Sequence, residues 1–250
     1  MHLRNIILVI LALILITACN KKTPVPLQFQ PMFKGKEITC DDSFLVMENQ
    51  WQINALSFYV SKFKIDQQRL HVNGVDMNTH VSLLGGMCRQ SMNWLINIEN
   101  EIAAGRDLSF ELAVPFELNH KNPLTAQFPL NQSDMFWTWQ LGHKFLRLDI
   151  VNQTLKDEHW SFHLGSTGCD SASVMRAPKE SCKQPNRFRF SIENFNPNKV
   201  IYIHLDKLFS HLPLEKNNNC MGSLNSQACQ VIYSNLANND LFNQIKVIKK

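Results

Sequence analysis

Six cysteines placed behind an N-terminal export signal constrain this chain more than any other feature. Arg4 supplies a short positive region, and Ile6–Ile16 is an apolar run too short to span a membrane stably. Ile16-Thr17-Ala18-Cys19 then sets a small-residue cleavage site directly before a cysteine, the lipobox pattern of a bacterial lipoprotein. Residues 1–18 are therefore expected to be removed, Cys19 to carry lipid, and residues 19–25 to form a lipidated tether. Acyl chains on Cys19 would hold the domain on a membrane, since each buried methylene contributes about 0.8 kcal/mol. Asn20 is not the aspartate that retains such proteins at the inner membrane. The expected location is the outer membrane, with the domain facing the periplasm.

In that oxidising compartment Cys40, Cys88, Cys169, Cys182, Cys220 and Cys229 read as up to three disulfides. Local proximity favours Cys169–Cys182 and Cys220–Cys229, leaving Cys40–Cys88. No CxxC pair supports a zinc or iron–sulfur site, and no CxxCH sequence supports covalent haem. Removing residues 1–18 from the 250 leaves 232 and takes away Arg4 alone, so the formal charge falls from +4 to +3. That balance is too mild to imply nucleic acid or a polybasic membrane patch.

Without a linker or internal repeat, residues 26–250 read as one domain. Ala55–Asp66, Leu108–Phe116, Phe136–Leu141, Phe145–Val151, Trp160–Leu164, Phe188–Ile192 and Val200–Leu205 are short runs rich in β-branched or aromatic residues. Turn residues separate them, with Asn73-Gly74 a tight-hairpin signal and Asn194–Asn198 a turn between two runs. Leu205–Leu212 and Leu224–Leu236 suit short C-terminal helices. The pattern predicts a mainly β fold, an antiparallel β-sandwich or barrel-like single domain with disulfides.

Chemistry concentrates between Val114 and Lys144. Met135, Trp137 and Trp139 lie at i, i+2 and i+4, so on a strand they would share a face about 6–7 Å apart. Such a row also suits a buried core face. His120 closes the preceding loop. An imidazole and a thioether from adjacent elements suit reduced copper, whereas magnesium and calcium want oxygen. His143 falls in register with the tryptophans unless Gly142 introduces a bulge, and is a possible ligand. His163, at a strand end, is a possible ligand or a group supporting one. Gly165-Ser166-Thr167-Gly168 is neither a nucleophile elbow nor a phosphate cradle.

The ordered set LNHKNPL, PLN, DMFWTWQLGHKF, FHLGSTGC and the following C..PNR resembles the MbnP family, also called metallo-mystery-pair four-Cys proteins. The resemblance runs from about Leu27 to Leu205 and is densest from Val114 to Arg187. It implies a periplasmic copper-binding protein paired with a di-haem peroxidase of the cytochrome c peroxidase/MauG type. In that family the first Trp of WxW is oxidised to kynurenine and one Cu(I) is bound. Carried over, Trp137 is the modified residue, Trp139 its unmodified partner, and His120, Met135 and Trp137 the copper ligands. Two departures stand out. His143 replaces the family's usual Tyr, and the chain has more than four cysteines, with residues 206–250 outside the resemblance. The resulting expectation is a binding protein in copper homeostasis and not an enzyme, its partners being the di-haem protein and the membrane. The competing expectation is an envelope recognition module that uses exposed tryptophans to bind sugar or protein without metal.

Overall fold

The computed structural model describes residues 24–72, 80–155, 157–212, 214, 218–223 and 225–245. The export signal, lipobox, Asn20–Thr23 and the Asn73-Gly74 turn lie outside them. Fourteen strands follow in chain order among the described residues. The first seven are β1 (Val25–Phe33), β2 (Lys36–Glu37), β3 (Ser43–Val46), β4 (Asn49–Ile65), β5 (Gln68–Arg69), β6 (Val81–Met87) and β7 (Leu95–Ile98). The others are β8 (Arg106–Leu112), β9 (Phe136–Thr138), β10 (Gly142–Asn152), β11 (His159–Gly165), β12 (Phe188–Phe195), β13 (Ile201–His204) and β14 (Phe242–Asn243). Three short helices are α1 (Phe116–Asn119), α2 (Leu205–Leu208) and α3 (Gln227–Ala237).

The 17-residue β4 is the spine of the larger sheet. One of its edges pairs in turn with β3, β6 and β5, the other with β10 and then β8. With neighbours on both edges and a core beneath, Ala55–Ser61 is buried continuously, as a central strand must be. Beyond it, β11 pairs with β10 and β12 with β8, all antiparallel. The smaller sheet runs β14-β13-β1-β2, with β7 also on β1. Its β1–β13 pair is parallel, whereas the remaining ladders are antiparallel.

The sheets meet through phenylalanines. Phe242 of β14 lies 5.8 Å from Phe58, 5.2 Å from Phe110 and 4.8 Å from Phe190, ring to ring, and 6.4 Å from Phe29 of its own sheet. Edge-on and tilted contacts of this kind add attraction beyond burial. The fold is thus a sandwich, as the strand pattern predicts, and the three disulfides pair Cys40–Cys88, Cys169–Cys182 and Cys220–Cys229. The segment after Leu205 caps it, since α3, β14 and the buried Cys220–Cys229 bridge all join the core.

Element bounds differ where special residues intervene. The expected strand Leu108–Phe116 stops at Leu112, because Pro115 has no N–H for a ladder and opens α1. The expected Phe136–Leu141 strand shortens to Phe136–Thr138 and turns back at once. Seven strands are absent from the sequence reading: β2, β3, β5 and β14 are only two to four residues long, and β1, β6 and β7 have their alternation broken by Pro26 and Pro31, broken by Gly85 and Gly86, or confined to four residues.

Candidate metal centre

The predicted row of Met135, Trp137 and Trp139 does not occupy one strand. Met135 ends a single turn of 3-10 helix, Ser133–Met135, and is buried. Trp137 lies in β9, and Trp139 sits in the turn before Gly142. The hairpin reverses here because Gly142 takes φ of +79° and because Asn119 presses against it. A Cβ on Gly142 would lie 2.5 Å from both Asn119 Nδ2 and the Asn119 carbonyl oxygen, a spacing that only glycine permits. The register also shifts between Gly142 and His143, the bulge that the sequence left open.

Asn119, which sequence reasoning missed, is fully buried and ties the loop to the hairpin. Its Nδ2 donates to the Leu141 carbonyl at 3.2 Å, and its Oδ1 accepts from the His143 amide at 3.0 Å. The signal in the sequence was its place immediately before His120.

His120 is thereby laid along the hairpin. Its Nδ1 donates to the Trp139 carbonyl at 3.0 Å, which fixes the proton on Nδ1 and leaves a lone pair on Nε2. That Nε2 has the Asn119 amide nitrogen at 3.3 Å. Burial lowers the His120 pKa, the Trp139 carbonyl opposes that shift, and the positive charge of Arg187 adds to it. Burial thus favours the neutral ring. A ligand nitrogen set by a hydrogen bond through the opposite nitrogen is the arrangement metal-binding histidines use.

Trp137 is seated by two glycines. A Cβ on Gly165 would stand 2.5 Å from Trp137 Cζ3, and one on Gly222 would stand 3.3 Å from Cη2. The benzene edge of the indole therefore lies against the end of β11 and against the segment following Cys220. Trp139 is partly exposed, its ring 5.8 Å from Phe136 and nearly perpendicular to it. Met135 also borders a cleft of about 490 Å³ with Ser133, Asp134, Ser57, Gly85 and Gly86.

His143 is fully buried, with Nδ1 2.7 Å from the Asn119 carbonyl and Nε2 3.0 Å from the Leu130 carbonyl. Burial lowers its pKa, against the pull of those two carbonyls. Neither nitrogen is directed outward to a metal, so its place is that of a pin between loop and hairpin. His163 lies on the sheet face that carries Arg147, Asp149 and Ser161. Its Nε2 is 2.9 Å from Asp149 Oδ1, while its buried Nδ1 has no partner. Burial pushes the Asp149 carboxyl up, but hydrogen bonds from His163, Ser161 and Arg147 outweigh it and hold the group well below the usual range. Arg147 continues the chain of charge to Asp134 at 3.0 Å, next to Met135.

Among the described residues no cluster of three or more His, Cys, Asp or Glu could hold a metal. The donors near the hairpin are instead a neutral imidazole and a buried thioether, a set that fits a soft, singly charged ion better than zinc or calcium.

A disulfide-braced β-sandwich with a short hairpin that carries Trp137 and Trp139, a buried Met135 in the turn before it and the His120 ring held to its Trp139 carbonyl is the class this fold defines. The family model for MbnP matches residues 22–222, and the chain belongs to that family. Among solved structures, MbnP from Methylosinus trichosporium aligns with a TM-score of 0.68 and 20% sequence identity, covering 84% of this chain and 86% of that one, which shows a shared fold. No curated protein matches.

Proposed function

We propose that this chain is a copper(I)-binding protein anchored to a membrane through Cys19 and facing the periplasm, on the outer membrane. Its Trp137 is oxidised to kynurenine by a partner di-haem peroxidase of the cytochrome c peroxidase/MauG type, and the protein serves copper homeostasis without catalysing a reaction itself. Membership of the MbnP family supports the reading. The observation that carries it is the His120 ring, held by the Trp139 carbonyl so that Nε2 is unprotonated, with only the Asn119 side-chain amide, which the ion would displace, against its lone pair.

His120 and Met135 would hold the ion together with the modified Trp137 side chain, whose ring opening replaces an indole N–H by an amine and a carbonyl. Copper supplies a soft Lewis-acid centre when bound. Asn119 and the Trp139 carbonyl orient the imidazole, and Gly165 and Gly222 seat the ring of residue 137. Trp139 remains unmodified. His163 and Asp149 brace the sheet face at whose end Gly165 receives that ring.

The test begins with the peptide containing Trp137, from protein purified out of its native host and measured by mass spectrometry. The expected result is the mass change of indole-to-kynurenine conversion, with one copper per chain. Copper binding should be lost in His120→Ala, Met135→Ala and Trp137→Phe. An unmodified Trp137 together with undiminished copper binding in the three variants would overturn the proposal. Unmodified tryptophan and metal-independent binding of a sugar or protein would favour an envelope recognition module.

A further inference from the structure

The three disulfides differ in their surroundings. Cys169, Cys182, Cys220 and Cys229 are buried, the last two completely. Cys40 and Cys88 are half-buried, and their bridge lies between two clefts. One of about 230 Å³ is lined by Cys40, Met92, Trp94 and Ile38. The other, of about 550 Å³, is lined by Cys40, Cys88, Met87, Arg89 and His159. Within the first, Met92 Sδ touches Cys40 Sγ at 3.4 Å.

We infer that Cys40, Cys88 and Met92 form a second soft-metal site, opened by reduction of this one bridge. A dithiol donor would attack a bridge sulfur, break the S–S bond and leave as its own disulfide, giving two protein thiols. Binding of Cu(I) then displaces both thiol protons to solvent. Metal–sulfur bonds of about 2.3 Å place three sulfurs of a trigonal site about 4 Å apart. The thioether already stands near that spacing from Cys40, and the parted thiols relax toward it across a Cα separation of 5.5 Å. Thiolates and thioethers select Cu(I). Cys88 Sγ lies 3.1 Å from the Ile53 carbonyl, and Asp41 lines both clefts. Both features disfavour bare thiolates, so the site waits for a cation to replace the protons. The buried bridges are out of reach of the same exchange, because the attacking thiolate needs access to sulfur.

The test uses the full chain carrying His120→Ala and Cys19→Ser, so that neither the hairpin centre nor the seventh cysteine contributes and the two proposals succeed or fail separately. The protein is treated with a phosphine reductant, freed of it anaerobically, and counted for thiols. Cu(I) is then titrated in competition with a chromophoric chelator, and circular dichroism confirms the fold. The expected result is two thiols and one Cu(I) bound only after reduction. Met92→Leu should keep both thiols yet weaken copper by at least the roughly tenfold loss seen even for outer-sphere partners. A folded, reduced protein that gains no copper would overturn the site, as would release of all six thiols together. Copper affinity unchanged in Met92→Leu would remove the thioether from it.

Discussion

Gly165→Ala is the cleanest probe of the tryptophan seat, because Gly165 does not adopt a positive φ and an added methyl strains no backbone. The methyl carbon would stand 2.5 Å from Trp137 Cζ3, 3.2 Å from Cε3 and 3.0 Å from the His143 carbonyl oxygen. Carbon atoms in contact prefer about 3.5–4.0 Å, so the indole must retreat by roughly 1 Å. Overpacking of this kind costs about 1–3 kcal/mol. If the indole is the obstacle, the same substitution in a Trp137→Ala background should cost less than about 1 kcal/mol, what remains being the contact with the His143 carbonyl. The coupling between the two sites should therefore be about 1–2 kcal/mol. Urea denaturation of the four proteins, read by circular dichroism and extrapolated linearly, measures it. Equal penalties in both backgrounds would show that the ring does not rest on Gly165 and would remove the basis for its orientation.

Other outcomes follow from the same geometry. Asn119→Ala should destabilise by about 2–4 kcal/mol, since the Leu141 carbonyl and His143 amide lose buried partners; thermal unfolding and faster exchange of the His143 amide would show it. Phe242→Ala should cost about 3–5 kcal/mol by removing the ring shared by four phenylalanines, with the denaturation midpoint as readout. Asp149 has a folded-state pKa below its unfolded one, so its contribution is complete above about pH 4 and is lost as pH falls further. Asp149→Asn should flatten the acid side of the stability profile as pH falls below about 4 toward the folded-state pKa, and an unchanged slope there would exclude Asp149 as its source.

The fold class and the Cys169–Cys182 and Cys220–Cys229 bridges were legible, because short cysteine spacing and alternating apolar residues are local signals, and Cys40–Cys88 followed as the remaining pair. So was the presence of a strand at Phe136 leading into β10. The internal structure of the site was not. Period-two spacing implied a common face for Met135, Trp137 and Trp139, but the turn demanded by Gly142 places the last outside the strand. Adjacency to His120 was the one mark Asn119 carried in sequence, and it did not reveal the role, which depends on Gly142, 23 positions away, pressing against it. The pairing of His163 with Asp149 is a cross-strand fact set by the β10–β11 register, which no spacing within either strand reveals. The capping role of the C-terminal segment was equally hidden, for its short β14 presents only Phe242 and Asn243.

That Phe242 lies 20 positions beyond the family-matched region, yet its ring joins Phe58, Phe110 and Phe190 across the two sheets. A fragment ending at residue 222 would leave a hole at the meeting point of the sheets and would be poor material for any binding measurement. On the proposed export route the same arrangement acts as a timer. A chain threaded N-terminus first through a membrane cannot complete its core until residue 242 has crossed. On that route the polypeptide would stay loose enough to pass, and would close only on the far side, where its cysteines could be oxidised.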